Sequence, residues 1–166
     1  MRFVLALCIV TGCALCGRSM AGSARRRYEM LQELVRGIRL LRIHMISMFE
    51  PLQQSLSRTG AQMFEMVGDA MKPGVSAGEA WREVRRQETR RGGRVDALNR
   101  EDLRAFDQLF SHLGESGRDA QDVLLDGTAT ILGKNLESAE KQAREADRLY
   151  VSLGFMTGLA IALAVV

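Results

Sequence analysis

Proline, aromatic residues and β-branched runs are scarce in this chain. Only two of the 166 residues are proline, and aromatic side chains make up 5% of the composition. Strands favour β-branched and aromatic residues, whereas the Leu, Ala, Arg, Glu and Met that dominate here favour helix. The composition predicts an all-α fold, and the length suits one domain together with membrane segments.

Cysteine is confined to the first apolar stretch, and the usual catalytic patterns are missing. Cys13 and Cys16 have the C-x-x-C spacing, and Cys8 precedes them, but no second pair or ligating histidine follows. Neither of the common glycine-rich phosphate-binding loops is present. His44 and His112 have no cysteine or acid at metal-ligand spacing, so we interpret both as structural. We predict no enzymatic activity and no cofactor, metal or small-molecule substrate.

Charge is divided unevenly along the chain, although its net value is only +3. Residues 18–100 carry 16 basic and 9 acidic side chains, whereas residues 101–148 carry 6 basic and 11 acidic ones. Either the two halves pack against each other, or one half binds a charged partner or anionic lipid headgroups.

Seven arginines lie in residues 82–100, around Gly92-Gly93. This stretch is either a solvated loop or a contact for an acidic partner or lipid. The candidates for that contact are Arg85, Arg86, Arg90, Arg91 and Arg94. Nucleic-acid binding is not predicted, because the stretch lacks stacking aromatics and a recognition helix.

Two uncharged segments, Phe3–Gly17 and Leu149–Val166, have lengths close to that of a bilayer-crossing helix. Basic residues flank the inner side of both, which by the positive-inside rule puts the middle of the chain in the cytoplasm. The predicted organisation is an N-terminal transmembrane helix (1–21), a cytoplasmic helical domain (22–148) and a C-terminal transmembrane helix (149–166).

Both segments carry small residues four positions apart, which predicts close packing between membrane helices. These residues are Gly154 and Gly158 in the second segment, and Gly12 and Cys16 in the first. The first segment has an alternative interpretation, because the residues up to Cys13 resemble a bacterial lipoprotein signal with its acylated cysteine. The protein would then be a lipid-anchored extracytoplasmic adaptor.

Apolar periodicity predicts a succession of helices between the two segments. The first begins near Ala24, with Ser23 as its N-cap, and runs to Phe49, where Pro51 breaks it. The others span residues 51–58, about 61–71, a helix with a capping box at Ser76 and Glu79, an Asn99-capped helix through Leu113, and a last helix from about Arg118.

The last helix carries apolar or small residues in alternating steps of three and four, which predicts a seam facing a partner helix. They are Leu125, Thr128, Leu132, Leu136, Ala139, Ala143, Ala146, Tyr150 and Leu153. The pattern predicts one helix that passes from water into lipid, although a hinge at Gly127 or Gly133 is an open alternative. The fold predicted overall is an antiparallel helical bundle flanked by membrane helices.

An ordered set of short motifs runs through nearly the whole chain. The signature positions in the second half are Glu101, Asp102, Leu113, Gly114, Asp119, Gln121, Leu153 and Gly154. In the first half they are joined by Arg25–Arg27, Leu31–Leu34, Pro51-Leu52 and Glu79–Trp81. With these motifs the chain resembles the stage III sporulation protein AB family.

This resemblance implies a protein required for endospore formation, with a fold like the cytoplasmic domain of the type II secretion F protein. It implies a non-enzymatic scaffold of the channel between mother cell and forespore, held in the mother-cell membrane. The implied partners are other stage III channel proteins and the ATPase encoded in the same operon, and self-association is a further option. A secretion platform subunit outside sporulation is the alternative.

Overall fold

A computed structural model of the chain describes residues 22–89 and 93–165, without the side chains of 151, 154, 155 and 157–165. Every regular element in these residues is helical, so the all-α prediction is confirmed for them. The α-helices are α1 (Gly22–Arg42), α2 (Leu52–Ser57), α3 (Gln62–Ala70), α4 (Ala77–Glu88), α5 (Arg100–His112) and α6 (Arg118–Val165). A π-helix, Ile43–Ser47, follows α1, and a 3₁₀-helix, Arg94–Ala97, precedes α5.

The chain divides into two compact units. One comprises Glu29–Glu137, and the other comprises Met1–Tyr28 together with Ser138–Val166. In the second unit Arg27 Nη1 donates a hydrogen bond to Gln142 Oε1 at 3.1 Å. On the exposed side of α6 there, Arg144 pairs with Glu140 at 2.6 Å, as the i,i+4 spacing predicts.

Four aromatic rings from α3, α4 and α5 form the centre of the larger unit. Phe64, Trp81, Phe106 and Phe110 are each at most 1% exposed. Trp81 stacks on Phe110 with ring centroids 5.1 Å apart, and Phe106 lies 6.2 Å from Phe64. Such pairs add stabilisation beyond the burial of their area. Trp81 is therefore an anchor of this core.

Within the larger unit, α1 and α6 run antiparallel. Arg42 pairs with Asp122 and Asp126, whereas Arg39 lines a groove together with Lys134 and Glu137, further along α6. The predicted seam of α6 is buried at Leu125, Thr128, Leu132 and Ala139. On α1, Leu31, Leu34, Ile38 and Leu41 are fully buried as well.

Gly37 of α1 lies against Phe64 of α3 and against Ala61, the residue before that helix. A Cβ added there would lie 2.6 Å from Phe64 Cε2 and 2.8 Å from Ala61 Cβ. We expect Gly37→Ala to lower the free energy of unfolding by about 1–3 kcal/mol, because the methyl overpacks the core. Urea unfolding followed by Trp81 fluorescence would measure this.

The matched control for Gly37 is Gly127, also in a helix, where an added Cβ meets nothing within 4 Å. Gly127→Ala should raise stability by up to about 1 kcal/mol, the difference in helix propensity. Equal effects of the two substitutions would mean that helix propensity, and not close packing, decides both.

Both ends of α1 differ from the prediction. Ser23 lies inside the helix, which begins at Gly22, and is therefore not the N-cap. At the other end the helix does not continue to Phe49: the backbone changes to a π-helix after Arg42, and the Met48 N–H donates to Ile43 O at 3.1 Å. Phe49 then takes a left-handed conformation with φ 59°. The predicted helical stretch at Met48-Phe49 is wrong, because apolar spacing does not reveal a change from i+4 to i+5 bonding.

Two predicted helix starts are confirmed in full. The Ser76 hydroxyl accepts the Glu79 N–H at 3.3 Å, and the Glu79 carboxylate accepts the Ser76 N–H at 3.1 Å. This backbone bond from Ser76 lowers the pKa of Glu79. Asn99 forms the same reciprocal box at the start of α5. Both starts were readable because the participating residues are only three positions apart.

Helix α6 is continuous through Gly127 and Gly133, so the structure has no hinge at either residue. Among the residues that the structure describes, no helix has a stretch long and apolar enough to cross a bilayer. The predicted N-terminal membrane helix lies outside the described residues, as do most side chains of the C-terminal one. Both membrane helices remain predictions.

Candidate interaction site

Asp102 connects α5 to α6 and is fully buried. Its N–H donates to Asn99 Oδ1 at 2.8 Å, and its Oδ2 accepts the Asn99 N–H at 3.1 Å. Its other oxygen, Oδ1, accepts a hydrogen bond from Asn135 Nδ2 of α6 at 2.8 Å. A single carboxylate therefore caps one helix and holds another, and its burial is compensated by polar partners.

Asn135 was not predicted from the sequence. The available signal was an asparagine beside the apolar seam of a helix, where this residue type is unfavourable unless its amide has a partner.

Gln121 locks the turn between α5 and α6. Its side chain, in a residue only 3% exposed, donates to His112 O at 2.9 Å and accepts the Gly114 N–H at 3.1 Å. Gly114 has φ +85°, the left-handed conformation that commonly ends a helix. The amide thus satisfies backbone groups that the end of α5 leaves without helical partners.

Removal of this amide should loosen the turn. We expect Gln121→Ala to cost about 1–3 kcal/mol, because it leaves His112 O and the Gly114 N–H unpaired. Hydrogen exchange at Gly114 and the urea midpoint would report the change. Gln108→Ala, an exposed glutamine on α5, is the matched control and should lie within about 0.5 kcal/mol of wild type. Unchanged exchange at Gly114 in Gln121→Ala would refute the lock.

The remaining signature positions divide between core and surface. Leu113 is buried, whereas Glu101 and Asp119 are exposed. Leu153 is 58% exposed, and Gly154 and Gly158 lie in the helical backbone of α6. Gly12 and Cys16 lie outside the described residues. The prediction that Gly12, Cys16, Gly154 and Gly158 pack membrane helices therefore stays a prediction.

Three of the five arginines predicted to contact a partner or lipid bond to other side chains of this chain. Arg85 donates to both carboxylate oxygens of Asp107, at 2.6 and 2.5 Å, and the same carboxylate accepts Trp81 Nε1–H at 2.7 Å. Arg94 bonds to Gln62 and lies 3.7 Å from Glu33.

Arg86 is the third, and it pairs with Glu83 on its own helix while its side chain stays 77% exposed. Arg90 and Arg91 lie outside the described residues. Among the five, Arg86 is the described arginine with the most accessible charge.

Arg42 joins the basic and acidic halves of the chain. Its guanidinium binds both oxygens of Asp122, with Nε at 2.6 Å and Nη2 at 3.0 Å, and Nη1 contacts Asp126 at 2.5 Å. Together with the Arg85–Asp107 pair, this supports the interpretation that the two halves pack against each other.

The bond to Arg42 lowers the pKa of Asp122 from its ordinary 3.8 and raises the pKa of Arg42. Because the folded-state pKa of the carboxyl is lowered, the stabilisation is present above about pH 4 and is lost as the pH falls further.

Neither histidine belongs to a recognisable metal site. His44 Nδ1 lies 3.2 Å from Glu50 Oε2, and the other oxygen of Glu50 pairs with Arg58 at 2.5 Å. His112 is exposed, and its carbonyl accepts the Gln121 amide. Among the described residues, no group of three or more His, Cys, Asp or Glu side chains is placed to hold a metal ion.

These observations define a helical-bundle protein in which the signature residues Asp102 and Gln121 hold helices together. The chain belongs to the stage III sporulation protein AB family, whose model matches residues 2–166. Membership gives it a role in sporulation, in a structural family not known for enzymatic activity. No curated protein and no solved structure matches the chain significantly.

Proposed function

We propose that the protein is a non-enzymatic membrane scaffold of the channel complex between mother cell and forespore. The observation that carries the proposal is the family match over residues 2–166, nearly the whole chain. The roles of Asp102 and Gln121 support it, because both side chains have their polar groups committed to intramolecular bonds.

The proposed placement has both terminal segments in the mother-cell membrane and residues 22–148 in the cytoplasm, with a fold like the type II secretion F domain. The basic residues beside each uncharged segment support this orientation. The partners proposed are other stage III channel proteins and the operon ATPase.

Sidedness can be tested with a cysteine introduced at Gln54, an exposed position on α2. Gln54→Cys is made in a background in which Cys8 and Cys16 are alanine and Cys13, whose acylation the adaptor alternative requires, is kept; the same background without Gln54→Cys is the control. In intact cells a membrane-impermeant maleimide should leave it unlabelled, whereas lysed cells should label fully. Labelling of intact cells would overturn the cytoplasmic placement and favour the lipid-anchored extracytoplasmic adaptor.

The scaffold role is tested by purification of the tagged full-length protein from sporulating cells in mild detergent. Other channel proteins should co-purify, and deletion of the gene should block endospore formation. Co-purification of channel subunits without the ATPase would remove the ATPase from the proposed partners. Normal sporulation in the deletion strain would overturn the proposal itself.

The arginine contact needs a variant that spares the fold. Arg86→Glu reverses an accessible charge, whereas Arg85→Glu would also break the bond to Asp107. The matched control is Arg104→Glu, the same charge reversal on the exposed side of α5. If only Arg86→Glu weakens co-purification, the basic stretch contacts an acidic partner; equal behaviour of the two variants would rule Arg86 out as a contact.

A further inference from the structure

The turn after α1 holds an aromatic side chain outside the helical bundle. Phe49 is 65% exposed, and its neighbour Met48 is 57% exposed. The backbone of Phe49 has φ 59°, a left-handed conformation that is rare and strained for a bulky residue. Neither the strain nor the exposed apolar area stabilises the bundle. Strain that the surrounding structure maintains in this way is typical of functional positions.

Contacts on both sides of Phe49 keep its ring in this position. The Glu50 carboxylate, in a side chain only 15% exposed, pairs with Arg58 at 2.5 Å through one oxygen. Its other oxygen lies 3.2 Å from His44 Nδ1. The guanidinium carbon of Arg118 lies 3.6 Å from the centre of the Phe49 ring. Both the following residue and the ring are therefore held, so the aromatic group is fixed in advance of any contact.

Two segments of the larger unit meet around this ring. Residues 42–58 contain Phe49, and residues 114–126 contain the turn before α6 and the first part of that helix. The bond from Arg42 to Asp122, at 2.6 Å, joins the two segments a second time. The surface that they form is termed the Phe49 surface below.

The Phe49 surface has a net negative charge. Its two segments contain three arginines and five carboxylates, a net of −2 with His44 neutral. The three arginines already have partners within the surface, in ion pairs or over the ring. Glu115 and Asp119 are exposed. A surface of this charge repels anionic lipid headgroups and nucleic acid, and attracts basic groups.

We propose that Phe49 and Met48 anchor a contact with another protein, which presents an apolar pocket bordered by basic side chains. Aromatic residues and methionine are enriched at the centres of protein interfaces, where a few buried side chains dominate the binding energy. The basic border of the pocket follows from the negative charge around the ring. The inference rests on the proposed scaffold role only for the choice of cells in which it is tested.

Photo-cross-linking in sporulating cells tests this contact. The full-length protein carries benzoylphenylalanine in place of Phe49 or, as the control, in place of Gln108, which is exposed on α5. Irradiation should join position 49 to one other protein, and mass spectrometry should locate the joined peptide beside lysine or arginine residues. Position 108 should not give this product. Equal yields at the two positions, a product with lipid, or a product with a second copy of the chain would overturn the proposal.

Charge reversal tests the basic border of the pocket. With benzoylphenylalanine at position 49, Asp119→Lys should lower the yield of the product on the order of tenfold, because like charges then meet. Glu101→Lys is the matched control and should leave the yield unchanged. Like Asp119, Glu101 is an exposed acid in the first turn of a helix, but it lies at the far end of α5 from the turn. Equal losses from the two variants would contradict the proposed border.

A substitution at Phe49 itself separates the contact from folding. Asparagine adopts the left-handed conformation more readily than phenylalanine, so Phe49→Asn relieves the strain while it removes the ring. The urea midpoint, followed by Trp81 fluorescence, should be at or above that of wild type. The product obtained with benzoylphenylalanine at Met48 should nevertheless be lost. A midpoint below wild type would assign the ring a structural role and count against the proposal, as would a product that persists.

Spore counts distinguish failure of this inference from failure of the scaffold role. Deletion of the gene should block endospore formation, and Phe49→Asn should lower the spore yield as well. Normal sporulation in the deletion strain would overturn the scaffold role. A blocked deletion strain, together with a Phe49→Asn strain that sporulates normally, would overturn only the contact at Phe49.

Discussion

Replacement of Phe106 by alanine is expected to lower the free energy of unfolding by about 3–5 kcal/mol. Phe106 is fully buried and lies 6.2 Å from the ring of Phe64, 5.8 Å from that of Trp81 and 6.4 Å from that of Phe110. Loss of its ring leaves a cavity between α3, α4 and α5 that these rigid aromatics cannot easily fill.

Urea unfolding of the full-length protein in mild detergent measures the Phe106 effect. The fluorescence of Trp81, the only tryptophan, reports the unfolding of the core. Far-UV circular dichroism of the same samples should give the same unfolding transition. Phe49→Ala is the matched control, since Phe49 is 65% exposed and contacts Arg118 through its ring face. It should cost about 1 kcal/mol or less. A Phe106 effect as small as that of Phe49 would contradict the aromatic core.

Replacement of Asp102 by alanine is expected to cost about 2–5 kcal/mol, from loss of the helix cap and from an unpaired Asn135 amide. Glu101→Ala, one position earlier and exposed, should cost about 0.5 kcal/mol. Unfolding of both variants is measured in parallel by the fluorescence of Trp81. Similar losses for the two would show that the first-turn charge matters and that the buried bonds do not.

A double-mutant cycle then isolates the contact between α5 and α6. Asp102→Ala, Asn135→Ala and the double variant should show a coupling energy of about 0.5–3 kcal/mol. Additive losses would mean that the bond between the two side chains contributes nothing by itself.

Local patterns made parts of this structure predictable. The boxes at Ser76 and Asn99, the turn at Gly114 and the seam around Leu132 all depend on residues close together in sequence. The end of α1 was not predictable in this way. Pro51 disfavours helix at Glu50, but the spacing of apolar residues up to Phe49 contains no sign of where the backbone bonding changes.

The candidate site was harder to predict than the fold, because its bonds join distant residues. Arg85 finds its partner 22 positions away in Asp107, and Asp102 finds Asn135 33 positions away. A run of arginines therefore looks like an open basic surface until the carboxylates that neutralise it are located. The signature positions could be recognised in the sequence, but the hydrogen bonds that Asp102 and Gln121 make could not be predicted from it.

Local unfolding near Asp102 should involve α5 and α6 together. Because one carboxylate caps the start of α5 and binds Asn135 of α6, fraying of the first turn of α5 also releases Asn135. These two segments, far apart in sequence, should lose hydrogen-exchange protection as a single cooperative unit. The turn of α6 around Asn135 would then depend on the folding of a turn 33 residues earlier in the chain, so loss of structure in either segment should expose the other.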